Sequence, residues 1–156
     1  MTEAPCGSDP LPSQMADLFP GDIRAMVTTS RHHSNGAMHL KTRSFVVLCD
    51  DPDAPAGTWH HWAAYDIPAN HTMLPEGAAR SAGCEGFKQA TNDFGRTGYG
   101  GPCPPRGHGT HHYHFQLLAL SGSSLSVQKH PSCRDVEREA RKQLIAEATL
   151  VGLYER

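Results

Sequence analysis

Two short stretches gather the side chains able to hold or polarise a small ligand. The first, D-D-P-D-A-P-A-G-T-W-H-H-W, runs from 50 to 62. Pro52 and Pro55 fix φ at two of four positions, so Asp51 and Asp53 are presented by a stiff extended or turned loop. Alternation along the strand that follows places Trp59, His61, Ala63 and Tyr65 on one face and His60, Trp62 and Ala64 on the other. One histidine of the pair therefore faces a site. The second stretch, G-Y-G-G-P-C-P-P-R-G-H-G-T-H-H-Y-H-F, covers 98 to 115. Its glycines permit close backbone approach and its prolines make a preformed wall. The same alternation sets His111, Tyr113 and Phe115 on one face and His112 and His114 on the other. Together the stretches predict one pocket containing His61, His111, Tyr113 and two aspartates. A plainer alternative stays open at this point: Asx turns at the aspartates and framework histidines on ordinary half-buried strands.

The elements that must position these groups can be read around them. Ser44-Phe-Val-Val-Leu-Cys49 is a β-branched, apolar run ending at an Asp/Pro cluster, which predicts a buried strand feeding a loop. Trp59 to Ile67 predicts the next strand, closed by Pro68, and 69–110 is rich in Gly, Pro, Asn and Asp, hence loops and turns. His111 to Leu120 predicts a strand ended by Ser121-Gly122. Ser132 can cap a helix with Asp135 three residues on, and Val136, Ala140, Leu144, Ile145 and Ala148 follow at helical spacing. The spacing predicts one C-terminal helix over 133–151, after which Leu153 to Arg156 fold back on the sheet. Residues 1–39 show neither period and are expected to be divergent or partly disordered, leaving 40–156 as the single domain.

A chain of 156 residues suits one core. Fourteen Lys plus Arg against sixteen Asp plus Glu exclude a general attraction for nucleic acid or acidic membranes, so any anion site is local. The cysteines at 6, 49, 84, 103 and 133 form no C-x-x-C pair and no even framework, which favours a reducing compartment and a buried, inert Cys103. No basic, apolar leader and no run of roughly 20 apolar residues is present, and a cytoplasmic protein without a membrane span is expected.

The ordered motifs D-P-D-A-P at Asp51–Pro55, W-x-H at Trp59 and His61, and G-x-H-x-Y at Gly109, His111 and Tyr113 resemble the phosphatidylethanolamine-binding protein family, which includes the Raf kinase inhibitor proteins. N-D-F-G-R-T-G-Y-G-G-P-C-P-P between them and L-I-A-E-A-T-L-V-G-L-Y-E-R at the end are similar to its bacterial branch. The likeness covers about Ser44 to the C-terminus; before it, R-H-H-S-N-G-A-M-H-L-K-T-R-S-F replaces the family's usual Gly-x-Asn and Ser-Pro-x-Leu-x-Trp stretch. The resemblance implies an α+β fold that is mainly β, with a central antiparallel-rich sheet packed on a smaller sheet, long loops and one helix. It implies ligand contacts at Asp51, Asp53, Trp59, His61, His111 and Tyr113, with Pro102 and Pro104 at the rim. It also implies phosphate, a phosphorylated group or a phospholipid head as ligand, a homodimer, and a kinase or other protein partner. Carboxylates facing an anion would repel it, so Asp51 and Asp53 are expected to orient a histidine ring or accept loop amides, leaving the histidines and Tyr113 as donors.

A non-catalytic binding or regulatory protein is the reading favoured, with no cofactor and no metal. Hydrogen bonds to a charged group contribute roughly 1.5–3 kcal/mol each, so two or three, less the entropy of association, leave a small anion near about millimolar affinity. The alternative is a hydrolase or metal-assisted enzyme using the Asp/His pocket. It lacks a G-x-S-x-G elbow, an H-E-x-x-H helix and a serine or cysteine flanked by a recognisable base. A purely structural role is the third reading.

Overall fold

The structure, a computed structural model, describes residues 42–71, 74 and 86–156. β1 (Ser44–Asp51), β2 (Trp59–Pro68), β3 (Lys88–Gln89), β4 (His111–Leu120) and β5 (Leu144–Tyr154) form one antiparallel sheet in the order β3-β2-β1-β4-β5. A single helix, α1 (Cys133–Arg141), is found among the described residues. β1 is buried at every position because it is central and covered on both faces, and its near-continuous apolar sequence reflects that.

The two faces carry separate cores. One holds Phe45, Val47, Cys49, Trp62, Ala64, Ile67, Tyr113, Phe115 and Leu117. The other packs Val46, Leu48, Ala63, Tyr65, Leu118 and Leu120 against Cys133, Val136 and Ala140 of α1. Ser132 caps the helix through a complete capping box with Asp135, as the sequence predicts.

One expectation is corrected. The helix predicted over 133–151 stops at Arg141, and Leu144–Tyr154 is a strand paired with β4 along its whole length. Val136, Ala140 and Leu144 continue a helical stripe, but from Leu144 onward alternation sets in. Glu147, Thr149, Val151 and Leu153 are exposed between partly or fully buried neighbours, and β-branched Ile145, Thr149 and Val151 suit a pleated surface. The strands of the described residues form one sheet, and the second, smaller sheet that the resemblance implies is not shown among them. The segment 1–39 lies outside the described residues.

Candidate functional site

The strand β2 does not alternate as its sequence predicts. Cys49 pairs with Trp62 but Asp50 pairs with His60, so His61 is the extra residue of a β-bulge. The bulge puts His61 and Trp62 on the same side. Trp62 and Ala64 enter the core containing Tyr113, whereas Ala63 and Tyr65, predicted to share the face of His61, turn to α1. His61 still reaches the expected place: its ring meets Tyr113 edge-on at 5.2 Å and Phe94 at 5.3 Å, and Phe94 meets Trp59 at 5.3 Å.

At the end of β1, one carboxylate performs both roles that the sequence left open. Asp51 Oδ1 accepts the backbone N–H of Asp53 at 2.9 Å, an Asx turn, and Oδ2 accepts Nδ1–H of His111 at 2.7 Å. Both side chains of the second bond are buried. Because a carboxylate only accepts, the hydrogen sits on Nδ1 of His111. The Nδ1–H of His61 is likewise donated to the Gly100 carbonyl at 2.8 Å, and burial holds this imidazole below its ordinary pKa. Burial first, and the nearby Asp51 charge second, push the Tyr113 phenol well above its ordinary value. Among the described residues, the buried atoms His111 Nε2, Trp59 Nε1 and His71 Nδ1 have no hydrogen-bond partner, and buried Tyr113 Oη has only the Asp51 carboxylate beside it.

Asp53 stands apart from this group. Its exposed carboxylate accepts the backbone N–H and Nδ1–H of His112 at 2.8 and 2.7 Å, and those bonds hold its pKa low. Pro104 is buried and Pro102 half-buried in the loop that brings Gly100 to His61. Cys103 between them is disulfide-bonded, whereas Cys49 and Cys133 are free, so its partner lies outside the described residues. This corrects the inert-thiol reading, since an odd cysteine count at irregular spacing carries no sign of a pairing made through space.

Three contributors escape the sequence reading. Asn92 Oδ1 accepts the N–H groups of Phe94 and Arg96, and its Nδ2 donates to the Gly98 carbonyl, which shapes the turn that offers Phe94. Gly100 is required by that ring, because a Cβ there would lie 2.5 Å from two of its carbons. His108 tilts over His111 at 5.7 Å. All three lie in the Gly/Asn-rich stretch whose composition predicts loops but not contacts.

The other histidine of the pair serves the opposite face. His60 Nδ1 donates to Asp93 at 3.1 Å, and Nε2 lies 3.8 Å from the Glu137 carboxylate of α1. Glu137 chiefly, with Asp93, raises the pKa of His60, and the Glu137 carboxyl is in turn lowered to about 2 by His60. Asp93 also accepts the backbone N–H of His60, tying the 92–100 loop to the bulge. Among the described residues, no cluster of three or more His, Cys, Asp or Glu side chains could hold a metal ion.

The model of the phosphatidylethanolamine-binding protein family matches residues 20–155. The chain belongs to this family. A UPF0098 protein of Aquifex aeolicus is 50% identical over 115 residues, covering 74% of this chain and 67% of that protein. A UPF0098 protein of Pyrococcus horikoshii is 46% identical over 117 residues, 73% of this chain and 58% of its own length. The UPF0098 protein YbcL of Escherichia coli is 42% identical over 118 residues, 73% and 64% respectively. The crystal structure of E. coli YbcL, described as a new member of the mammalian PEBP family, superposes with a TM-score of 0.70 at 40% identity and covers 74% of this chain and 73% of that one. The chain thus spans about six- to seven-tenths of these curated relatives. Within the phosphatidylethanolamine-binding protein fold, the Asp51–His111 pair and the Trp59, His61, Tyr113 and Phe94 rings share one end of the sheet. No helix among the described residues is long and apolar enough to cross a membrane.

Proposed function

We propose that this family member is a non-catalytic binding or regulatory protein whose pocket, built by Asp51, Trp59, His61, His111 and Tyr113, takes phosphate, a phosphorylated group or a phospholipid head. Pro102 and Pro104 form its rim, and Asp53 acts indirectly by closing the Asx turn on Asp51. The observation that carries this reading is the set of buried polar atoms His111 Nε2 and Trp59 Nε1, without a partner among the described residues, and Tyr113 Oη, with only the Asp51 carboxylate beside it. A buried polar group left unpaired costs roughly 1–3 kcal/mol, a cost that a ligand with oxygen atoms would remove.

A protein partner adds the contacts that a lone anion lacks, and a phosphorylated protein, directed to a kinase or another regulator, fits that need better than free phosphate. A homodimer remains the expected assembly. The disulfide at Cys103 favours an oxidising compartment over the cytoplasmic placement expected from cysteine spacing. The Asp51–His111 pair is the one feature that a hydrolase would share, but the nearby Cys49 thiol is pushed far up by burial and is no nucleophile.

Calorimetric titration with phenyl phosphate, beside phosphatase and esterase assays of wild type and His61→Ala, separates the readings. Saturable binding that strengthens from about pH 7.5 to pH 6, with equal background hydrolysis in both proteins, is the expected result. Turnover lost in the variant would establish the enzyme reading instead.

A further inference from the structure

On the face of β4 turned away from the rings, two further histidines stand at a chelating spacing. The pairing of β4 with β5 runs without a shift from His111 to Ala119, so successive side chains alternate strictly between the two faces. Tyr113 and Phe115 enter one core and Leu118 enters the other, under α1. His112 and His114 share the parity of Leu118 and therefore its face. Their partners on β5 are Leu153 and Val151, which are 63% and 44% exposed, so this end of the face is open to solvent.

The His112 side chain is itself half exposed, and its Nδ1 lies 2.7 Å from Asp53 Oδ2. A carboxylate only accepts, so the hydrogen of the neutral ring sits on Nδ1 and the lone pair on Nε2. Metal-ligating histidines are oriented in the same way, one nitrogen donating to a carboxylate while the other takes the ion. The same Asp53 oxygen also accepts the His112 backbone N–H at 2.8 Å, which fixes the carboxylate. His114 follows about 7 Å along the strand. Two imidazoles so placed can both approach one ion at about 2.0–2.1 Å.

We propose that His112 and His114 form a two-imidazole chelate for a divalent cation of the copper, nickel or zinc class, outside the pocket described above, with Asp53 as the positioning residue. The sequence reading expects no metal. The described residues hold no set of three or more protein ligands, so the chelate is bidentate and solvent completes the coordination. Asp50, opposite His114 on β1, accepts from Gln116 at 3.1 Å and adds negative charge nearby without ligating. Imidazole ligands favour these metals over calcium and magnesium, and copper(II) binds tightest among them.

Copper(II) titration of the intact chain by calorimetry, with electron paramagnetic resonance of the bound ion, tests this on wild type, His112→Gln, His114→Gln and Asp53→Asn. The chain has eleven histidines, so the readout is the difference between proteins. Wild type is expected to hold one copper more per chain than either histidine variant, and the spectrum of that copper to show two ring nitrogens. Asp53→Asn should retain the ion about tenfold more weakly. Equal stoichiometry and affinity in wild type and the histidine variants overturns the site, and an Asp53→Asn protein that binds as tightly as wild type overturns the positioning role. Where His114→Gln does not fold, the exposed His112→Gln decides alone.

Discussion

Asp51 and His111 face each other across the boundary between β1 and β4, with Oδ2 accepting Nδ1–H at 2.7 Å while Oδ1 of the same carboxylate holds the Asp53 amide. The pair commits Nδ1 of the imidazole to Asp51 and leaves Nε2 as the ring nitrogen outside that bond. Under the proposed anion reading, Asp51 works through His111 and needs no contact of its own with the ligand.

Replacing that carboxylate by an amide removes the charge and allows the wrong group to face Nδ1. Asp51→Asn is expected to lower stability by about 1–3 kcal/mol, because both partners are buried. It should also weaken phenyl phosphate binding. Urea unfolding checks the first, calorimetry the second; a variant as stable and as tight-binding as wild type would remove Asp51 from the account.

Gly100→Ala tests the aromatic wall. The added methyl would lie 2.5 Å from Phe94 Cδ2 and Cε2, and that ring is bounded by Trp59 and His61 with Arg96 over its face. Overpacking of this kind costs about 1–3 kcal/mol. A lower melting temperature with a displaced Phe94 in a crystal structure is expected, and an unchanged Phe94 rotamer at full stability would show that the wall tolerates the change.

The His60–Glu137 pair predicts a pH window on the opposite face. His60 has a raised folded pKa, so its contribution is complete below the ordinary value of 6.5 and is lost as pH rises through the folded value. Glu137 has a depressed one, so its contribution is present above the ordinary 4.5 and is lost as pH falls toward about 2. The stability difference between wild type and Glu137→Gln should therefore be largest around pH 5.5 and shrink on either side. Chemical denaturation across about pH 3 to 8 measures it; a difference that is flat with pH would mean that the pair contributes no linkage.

Much of this arrangement was legible before any coordinates. The shared face of His111, Tyr113 and Phe115 follows from simple alternation, since all three lie on an unbroken stretch of the ladder with β5. The bulge at His61 was not legible, because the extra residue is defined by its partner strand, and nothing in W-H-H-W marks it. It nonetheless returned His61 to the predicted side while reversing the residues after it. The end of α1 was hidden for a different reason: Leu144, Ile145 and Ala148 satisfy helical spacing as well as they satisfy pairing with β4, and over so few residues tertiary pairing decides. Phe94, Gly100 and His108 act through contacts across loops, and loop composition does not record which groups meet.

The most direct test of the central claim is the change Tyr113→Phe. Tyr113 is 1% exposed and among the described residues its hydroxyl has only the Asp51 carboxylate beside it, itself already bonded to His111 and Asp53, so deleting that one oxygen should leave stability unchanged or slightly raised while removing a donor from the ligand. Thermal unfolding and phenyl phosphate calorimetry on the same variant should show an equal or higher melting temperature together with affinity reduced about tenfold. A lowered melting temperature with unaltered affinity would contradict the account, since the hydroxyl would then serve the fold and not the ligand.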